Sequence, residues 1–429
     1  MNDPLPTVSV VVLNYNGLAH LEPCFRSLLA LDYPADRLEL MLVDNGSTDG
    51  SAAWMRTHFP AVRIVETGAN LGFAGGNNAG ARAARGEIVA FLNNDMRVAA
   101  GWLAELAAPF AGAPDVAAVG ARILDWDGAR VDFADGGLNF CGYGYQFDHG
   151  RRAVAEPGEV RPQLYVCGGA LAVRRELFLA WGGFDEDFFA FYEDTDLGWR
   201  FWVLGYRLLL APRAVVYHRG HGTAGRLPGE KRRLLYERNA LLSAIKNYER
   251  ENLDRILPAA LLLLLQRAWL ASGVDEGSFR IGGPPPRPAR SPDDDVLTAR
   301  YYLRRVWQTL RAEGLNGLWE TVQGELAWRT GGPLLSGLRR RKRPSASGEV
   351  AVSKESLAHL VAANDVLALL PRAMEKRARI QAARRRPDAE IFPLFRRPLE
   401  LSLFTPEYKQ AQAAVVDAFE LASLFGESS

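Results

Sequence analysis

The chain has 429 residues, of which 48% are hydrophobic and 24% charged, so it is long enough for two or three domains and is not a disordered, collagenous or coiled-coil protein. Lys and Arg number 51 against 50 Asp and Glu, and a net charge of +1 gives no reason to expect a nucleic-acid partner. The balance hides an asymmetry: residues 1–250 carry 25 basic and 29 acidic groups, whereas residues 251–429 carry 26 and 21.

Strand and helix signals alternate over the first 110 residues. Val8–Leu13 is a continuous, mostly β-branched run, as in a strand buried on both faces. Leu18–Leu31 has helical spacing, Leu38–Val43 reads as a second strand, Ser51–His58 as a helix and Val62–Val65 as a third strand. Gly75–Ala84 is a small-residue helix, Ile88–Leu92 a fourth strand and Trp102–Phe110 another helix. This order predicts an α/β fold, a mostly parallel sheet with helices on both faces. Ligands of such sheets sit at the carboxyl ends of the strands. Asn14-Tyr15-Asn16, Asp44-Asn45-Gly46-Ser47 and Asn93-Asn94-Asp95 follow strands one, two and four.

From Ala121 to Gln163 the pattern is Gly-rich and aromatic, as in a hairpin insertion. Leu164–Val173 returns to strand character, Arg174–Ala180 and Thr195–Leu204 read as helices, Arg207–Leu210 and Val215–Tyr217 as short strands, and Glu230–Arg250 as a long amphipathic helix. Residues 251–281 form an apolar helix region whose core, Ile256–Leu265, stops at Gln266-Arg267. A run of about ten apolar residues suits a buried or interfacial helix better than a membrane span. Residues 282–296 are a Pro-rich linker, and residues 297–429 a mainly helical region. Within the latter, Gly331–Glu400 carries 15 basic and 7 acidic residues, dominated by Arg339–Arg343 and Arg384–Arg386. Such a segment suits either the anionic inner leaflet of a membrane or a solvated helical face. Cys24, Cys141 and Cys167 lie far apart, which fits a reducing compartment. The N-terminus has no basic segment ahead of an apolar one, so no signal peptide is read and a cytoplasmic place is expected.

Five segments hold the chemistry. Asp44–Gly50 ends a strand and opens a helix, which suits a base edge and an anion, or simply a strand–turn–helix cap with Asp49 as the N-cap. Asn70–Gly80, NLGFAGGNNAG, brings backbone close to a diphosphate or makes a tightly packed turn. Asn93-Asn94-Asp95 can hold a hard cation that also touches phosphates, and is equally a polar strand-end turn. Asp185-Glu186-Asp187 and Glu193-Asp194-Thr195-Asp196 set acids among Phe188, Phe189, Phe191 and Tyr192, as for a general base or a solvated helix start. His218-Arg219-Gly220-His221 follows a strand, where an imidazole is a metal ligand or a structural hydrogen-bonder.

In combination these segments closely resemble the family-2 glycosyltransferases of the GT-A fold, above all the bacterial rhamnosyltransferase-like branch. The resemblance runs over about residues 7–250 and rests on VSVVVLNYNG at Val8–Gly17, LVDNGSTDGS at Leu42–Ser51, NLGFAGGNNAG, FLNND at Phe91–Asp95, the stretch Cys167–Arg200, and VVYHRGHGT at Val215–Thr223. It implies a catalytic domain over residues 1–250 that moves a sugar, rhamnose or another hexose, from a nucleotide diphospho-sugar to a hydroxyl of a glycan or lipid-linked acceptor in cell-envelope polysaccharide synthesis. Asn14, Tyr15, Asn16, Asp44, Asn45, Gly75, Asn77 and Asn94 would meet the donor nucleotide. Asp95, Asn93 and His218 would hold Mg²⁺ or Mn²⁺, with Asn93 standing where an aspartate is common. Asp194 would be the catalytic base. Gly168, Gly169, Asp185, Glu186, Glu193 and His221 would shape the sugar and acceptor pocket. The QxxRW motif of processive synthases is absent. A nucleotidyltransferase, or a sugar-nucleotide-binding scaffold with weak catalysis, are the competing readings; the first lacks its basic, Gly-rich N-terminal loop, since Val8–Gly17 has no Arg or Lys.

Overall fold

A computed structural model describes residues 5–154, 158–220, 227–274 and 352–426. Its centre is a ten-stranded sheet. Strands β1 (Val8–Asn14), β2 (Leu38–Asp44), β3 (Arg63–Glu66) and β4 (Ile88–Asn93) form its parallel half, with β1 between β2 and β4. Helices α1 (Leu18–Leu29), α2 (Ser51–His58) and α3 (Gly72–Ala83) make the crossovers. The apolar runs of β1 and β4 are buried almost throughout, because both faces of the sheet are covered. Gly80 lets α3 lie directly on the sheet: a Cβ there would come within 2.4 Å of Val11 and 2.9 Å of Val43.

The sheet's other six strands are β5 (Met96–Val98), β6 (Val116–Asp125), β7 (Val131–Phe133), β10 (Arg161–Pro162), β11 (Ala170–Arg174) and β12 (Arg207–His218), while β8 (Gly136–Leu138) and β9 (Gly144–Gln146) pair as a separate hairpin. Helices α4 (Trp102–Ala107), α5 (Arg175–Ala180) and α6 (Glu193–Val203) lie among them. Strand β11 runs antiparallel between β4 and β6, and β12 runs parallel to β6. Two expectations need correction. Val116–Asp125 is a ten-residue central strand, although its Ala- and Gly-rich sequence carries little strand signal; Gly120 is required there, since a Cβ would meet the Val166 side chain at 2.3 Å. The two short strands expected at 207–217 are one twelve-residue strand whose pairing shifts between Ala211 and Val215. Pro212 falls inside that irregularity, where a missing N–H costs no ladder bond.

Beyond the sheet, α7 (Gly229–Asn247), α8 (Arg250–Ser272), α9 (Lys354–Ala382), α10 (Asp388–Ile391), α11 (Pro406–Ala418) and α12 (Leu421–Leu424) form a helical layer. It joins the same apolar core as the sheet: Trp199 of α6 packs edge-on against Tyr248 and Phe395. The Phe140 N–H bonds the Pro398 carbonyl at 2.7 Å, and Tyr248 Oη donates to the Phe140 carbonyl at 2.9 Å. Helix α8 has 23 residues and α9 has 29, each with a window of mean hydropathy 1.2, so both have the length and composition of a membrane span. The apolar run at 256–265 understated α8 because Arg267 is buried in an ion pair with Glu237 and does not end the helix. The linker at 282–296 and the cations at 339–343 lie outside the described residues. Two of the three cations of the other basic run are engaged within the protein, while Arg385 is exposed. Arg384 donates to Asp388 and to the Asn247 carbonyl, and Arg386 donates to the Tyr206 carbonyl and stacks on Trp202.

Candidate functional site

Register brings the polar strand ends together. Asn14 pairs with Asp44 across β1 and β2, and Leu13 pairs with Asn93 across β1 and β4. Three segments far apart in sequence therefore end side by side. Asn94 Nδ2 donates to Asn14 Oδ1 at 2.6 Å, and Asn14 Nδ2 donates to Ser47 Oγ at 3.2 Å and Asp44 Oδ1 at 3.4 Å. Asn16 is held at positive φ, with its N–H on Ser47 Oγ and its Oδ1 accepting from the Thr48 N–H at 2.8 Å. Asp49 is not the N-cap of α2, which is Gly50; it accepts from the N–H groups of Leu18 and Ser51, the first residues of α1 and α2. Gly17 is packed so closely that a Cβ would sit 2.1 Å from Asn94 Nδ2. Tyr15 is half-buried between Asn14 and Asn16.

Asp194 stands at the start of α6, facing this cluster across Gly168-Gly169. Its Oδ2 accepts from the Gly168 N–H at 2.7 Å, and its Oδ1 accepts from the Thr195 N–H at 2.7 Å. A Cβ on Gly168 would touch Asp194 Cβ at 3.3 Å and the Phe73 ring at 3.2 Å; one on Gly169 would meet Asn93 Nδ2 at 2.8 Å. The two glycines thus let the acid approach the end of β4. Burial raises the Asp194 carboxyl above its ordinary range against the pull of the Gly168 and Thr195 hydrogen bonds. Burial and the charge of Asp194 push the neighbouring Glu193 much further up, and its Oε2 has no partner. Both carboxyls are raised, Glu193 the more strongly, so of the two Asp194 is the more easily ionised.

The backbone before α6 is strained. Phe189, Phe191 and Tyr192 all lie in the left-handed region, at φ 63°, 69° and 64°. Each such residue costs about 1–3 kcal/mol unless its surroundings impose it. Here α7 does so: Asn239 Nδ2 reaches the carbonyls of Phe188, Ala190 and Phe191 at 2.8–3.1 Å, and Arg238 donates to those of Asp187 and Phe188. These two residues, unmarked by the sequence reading, fix where Asp194 begins its helix.

Asp95 and His218 meet on the other side of Asn93. His218 pairs with Met96 across β12 and β5, which sets its Nε2 3.3 Å from Asp95 Oδ2. His218 Nδ1 lies 2.6 Å from Asp132 Oδ2, and His149 Nδ1 is 3.3 Å from Asp132 Oδ1. Burial works against a charged His218, but hydrogen bonds to Asp132 and Asp95 and their charges outweigh it, pushing the imidazole up to about 10. Asp132 is held below the usual carboxylate range, its two histidines overcoming burial. A divalent cation between Asp95 and His218 would take the place of the Nε2 proton, with Asp132 holding the ring in orientation through Nδ1. Among the described residues there is no group of three or more His, Cys, Asp or Glu side chains about one point. Mg²⁺ and Mn²⁺ sites need only one or two protein carboxylates when phosphates and water complete them.

Other expected residues are engaged elsewhere. Asn45 donates to Asn70 and the Gly72 carbonyl and accepts from the Leu71 N–H, so it holds the loop before α3. Gly75 backs onto Leu71, and Asn77 bonds the Phe73 carbonyl within its own helix. Its neighbour Asn78 instead reaches across to the Phe184 N–H and carbonyl and to Glu186, at 2.8–3.0 Å, and anchors the 183–186 loop. Glu186 also meets Arg82 at 3.4 Å. Asp185 is buried against Lys246 and Lys376 rather than turned to the strand ends. His221 lies outside the described residues.

A family model described as Glycosyl transferase family 2 matches residues 9–152, and one described as Glycosyl transferase family group 2 matches residues 88–277. The chain is 34% identical over 254 residues to an N-acetylglucosaminyl-diphospho-decaprenol L-rhamnosyltransferase of Mycobacterium tuberculosis, spanning 53% of this chain and 80% of the relative. It is 31% identical over 230 residues to the O-antigen biosynthesis protein RfbC of Myxococcus xanthus, over 52% of this chain and 18% of that one. A crystal structure of GalNAc-T7 with UDP, GalNAc and Mn²⁺ superposes with a TM-score of 0.47 at 20% identity, over 60% of this chain and 52% of that one.

Proposed function

The chain belongs to the family-2 glycosyltransferases, and on that premise we propose that it transfers L-rhamnose from a nucleotide diphospho-sugar to a hydroxyl of a lipid-diphosphate-linked sugar, with inversion at the anomeric carbon. The donor and acceptor follow the name of the mycobacterial relative. The observation that carries the reaction type is the placement of Asp194. Its two oxygens are fixed by the Gly168 and Thr195 N–H groups, its basicity is raised by burial, and Gly169 seats it against the end of β4.

In this reading the donor lies across the carboxyl ends of β1, β2 and β4. Asn14, Asn16 and Asp44 border the nucleoside, and the hydrogen-bonded net of Asn14, Asn94 and Ser47 keeps that surface rigid. Asp194 takes the proton of the attacking hydroxyl; such general-base assistance is typically worth about 10²–10⁴-fold. Glu193 is pushed up more strongly than Asp194, which leaves Asp194 the more readily ionised acid of the pair. Asp95 and His218, with Asn93 beside them, would hold a divalent cation, and Asp132 would keep His218 Nε2 turned toward it. That cation would neutralise the departing diphosphate. The enzyme would work at the inner face of the membrane, where lipid-linked acceptors are reached from the cytoplasm.

Incubating the full chain with dTDP-, UDP- and GDP-linked sugars and a polyprenyl-diphospho-N-acetylglucosamine acceptor tests the reading. We expect one deoxyhexose to be added, with inverted anomeric configuration by NMR. Formation of a nucleotide sugar from a sugar phosphate and a nucleoside triphosphate, with no transfer to any acceptor, would overturn it.

A further inference from the structure

The two long helices of the C-terminal layer turn an apolar face to solvent. On α8 the exposed side chains are Leu261, Leu262, Leu265 and Trp269. On α9 they are Leu357, Leu360, Val361, Leu367 and Met374, which recur at helical spacing over five turns. The stripes adjoin, because Ser356 Oγ donates to the Ala268 carbonyl and Ser353 Oγ to the Ala271 carbonyl, both at 2.7 Å. A groove of about 490 Å³ runs between them, lined by Leu262, Leu265, Trp269 and Leu360. Neither helix has more than two charged residues in its most apolar eighteen. A contiguous apolar surface of this kind marks a binding face.

We propose that the paired outer face of α8 and α9 rests on an anionic lipid bilayer, with both helices lying in the plane of the membrane. The sequence around the patch selects this occupant. The chain leaves the described fold at Val274, just past α8, and returns at Val352, just before α9, so both ends of the intervening stretch sit at the edge of the patch. That stretch carries Arg339, Arg340, Arg341, Lys342 and Arg343 in succession. Eight residues lie between Arg343 and Val352, so chain length alone limits Arg343 to about 30 Å, and Arg339 to about 45 Å, from that edge of the patch. An apolar face and a polybasic run are the two signals that together give stable membrane attachment. A second copy of the chain on the same face would bring its own basic run against this one, a like-charge arrangement. The face is also tied to the site. Glu237 of α7 is bound by Arg267 of α8 and lies 2.7 Å from His359 of α9, while the preceding residue, Tyr236, packs on Phe191 and Tyr192 before Asp194. The biological purpose rests on the reading of a lipid-linked acceptor, whose hydroxyl would be delivered beside the bilayer.

Co-sedimentation of the full chain with vesicles of phosphatidylglycerol and phosphatidylcholine, and with phosphatidylcholine alone, provides the test. The wild type should partition onto the anionic vesicles. The variant L262D/L265D/L360D, changed only at exposed positions, should lose at least about tenfold in partitioning with an unaltered circular dichroism spectrum. Replacing residues 339–343 by Ser should weaken binding to anionic vesicles and remove its salt dependence. Equal partitioning of wild type and triple variant would overturn the proposal. So would a dimer in light scattering that the triple variant dissolves while the wild type ignores vesicles, since that assigns the face to a second copy. Hydrolysis of the nucleotide sugar in vesicle-free solution, measured on the same proteins, keeps the two readings apart. Hydrolysis without vesicle binding would sink the docking face and leave the transferase; vesicle binding without hydrolysis would do the reverse.

Discussion

The strand-end site and the helical layer behind it both bury charged and polar side chains, but they satisfy them differently. In the described part of the layer the buried charges are completed within the chain, most by a counter-charge and Arg377 by the Ile245 and Tyr248 carbonyls. Glu237 takes two hydrogen bonds from Arg267, at 2.8 and 2.7 Å, with His359 beside it, and Lys246 bridges Asp185 and Asp196. At the strand ends Asp95 and Asp132 lean on histidines, and the other acids are placed by backbone and by neutral amides. Asp194 sits on N–H groups, and Glu193 keeps an oxygen without a partner. Groups completed inside the protein hold the fold together, whereas groups left incomplete are available to a ligand. Substitutions in the first region should therefore move stability and leave turnover in the folded fraction, and substitutions in the second should do the opposite.

Asp194→Asn is the sharpest way to break this contrast. It should lower kcat by about 10²–10⁴-fold while leaving the melting temperature and nucleotide affinity by calorimetry within error. Wild-type turnover would remove Asp194 as the base. A large loss of stability would move it into the structural class.

Glu237→Gln is the counterpart in the layer. Removing one member of a buried ion pair costs about 3–5 kcal/mol, so the variant should melt well below the wild type with an unchanged KM for the donor. The pH dependence follows from the same group. The charges of Arg267 and His359 and their hydrogen bonds hold Glu237 below the usual carboxylate range despite burial, and Lys246 and Lys376 do the same for Asp185. Their contribution is complete above the unfolded carboxylate value of about 4 and is lost as pH falls below it. Wild type should lose denaturant stability steeply below about pH 4, and Glu237→Gln more gently.

Asp132→Asn tests a group that touches neither proposed substrate. If Asp132 orients His218 for a cation, the variant should bind Mn²⁺ about 10–100-fold more weakly, read by calorimetry without any donor. Unchanged Mn²⁺ affinity would make the Asp132–His218 bond purely structural.

Asp132 also shows where the sequence stopped being informative. Strands β1, β2 and β4 were legible because each is a short apolar run closed by Asn or Asp, and those closing residues drew attention to Asn14, Asp44 and Asp95. Asp194 and His218 were legible through the family's motifs. Asp132, Asn78 and Asn239 were not, because their partners lie 86, about 106 and about 50 residues away and no local pattern links them. The same holds for α8. Arg267 looks like a stop signal until Glu237, 30 residues earlier, is seen to neutralise it. Strand β6 was missed for a different reason: its Ala residues and Gly120 carry little strand preference, and Gly120 is set by close packing against Val166.

Lys376→Gln carries the smallest expected effect and falls on the border between the regions. Lys376 reaches Asp185 at 2.5 Å and Asp187 at 2.7 Å, both in the loop that leads to α6, from a side chain 35% exposed on α9. Solvent screening limits such a pair to about 0.5–1 kcal/mol, because Lys246 still neutralises Asp185 from the buried side. If Asp185 serves only to fasten the loop to the helical layer, the variant should lose that much stability in urea titration, with kcat and both KM values unchanged. A several-fold rise in the acceptor KM with little change in stability would instead mean that the freed carboxylate reaches the acceptor. The 185–187 loop would then belong to the incomplete, ligand-facing class, as its acid-rich sequence suggests before the lysines are seen.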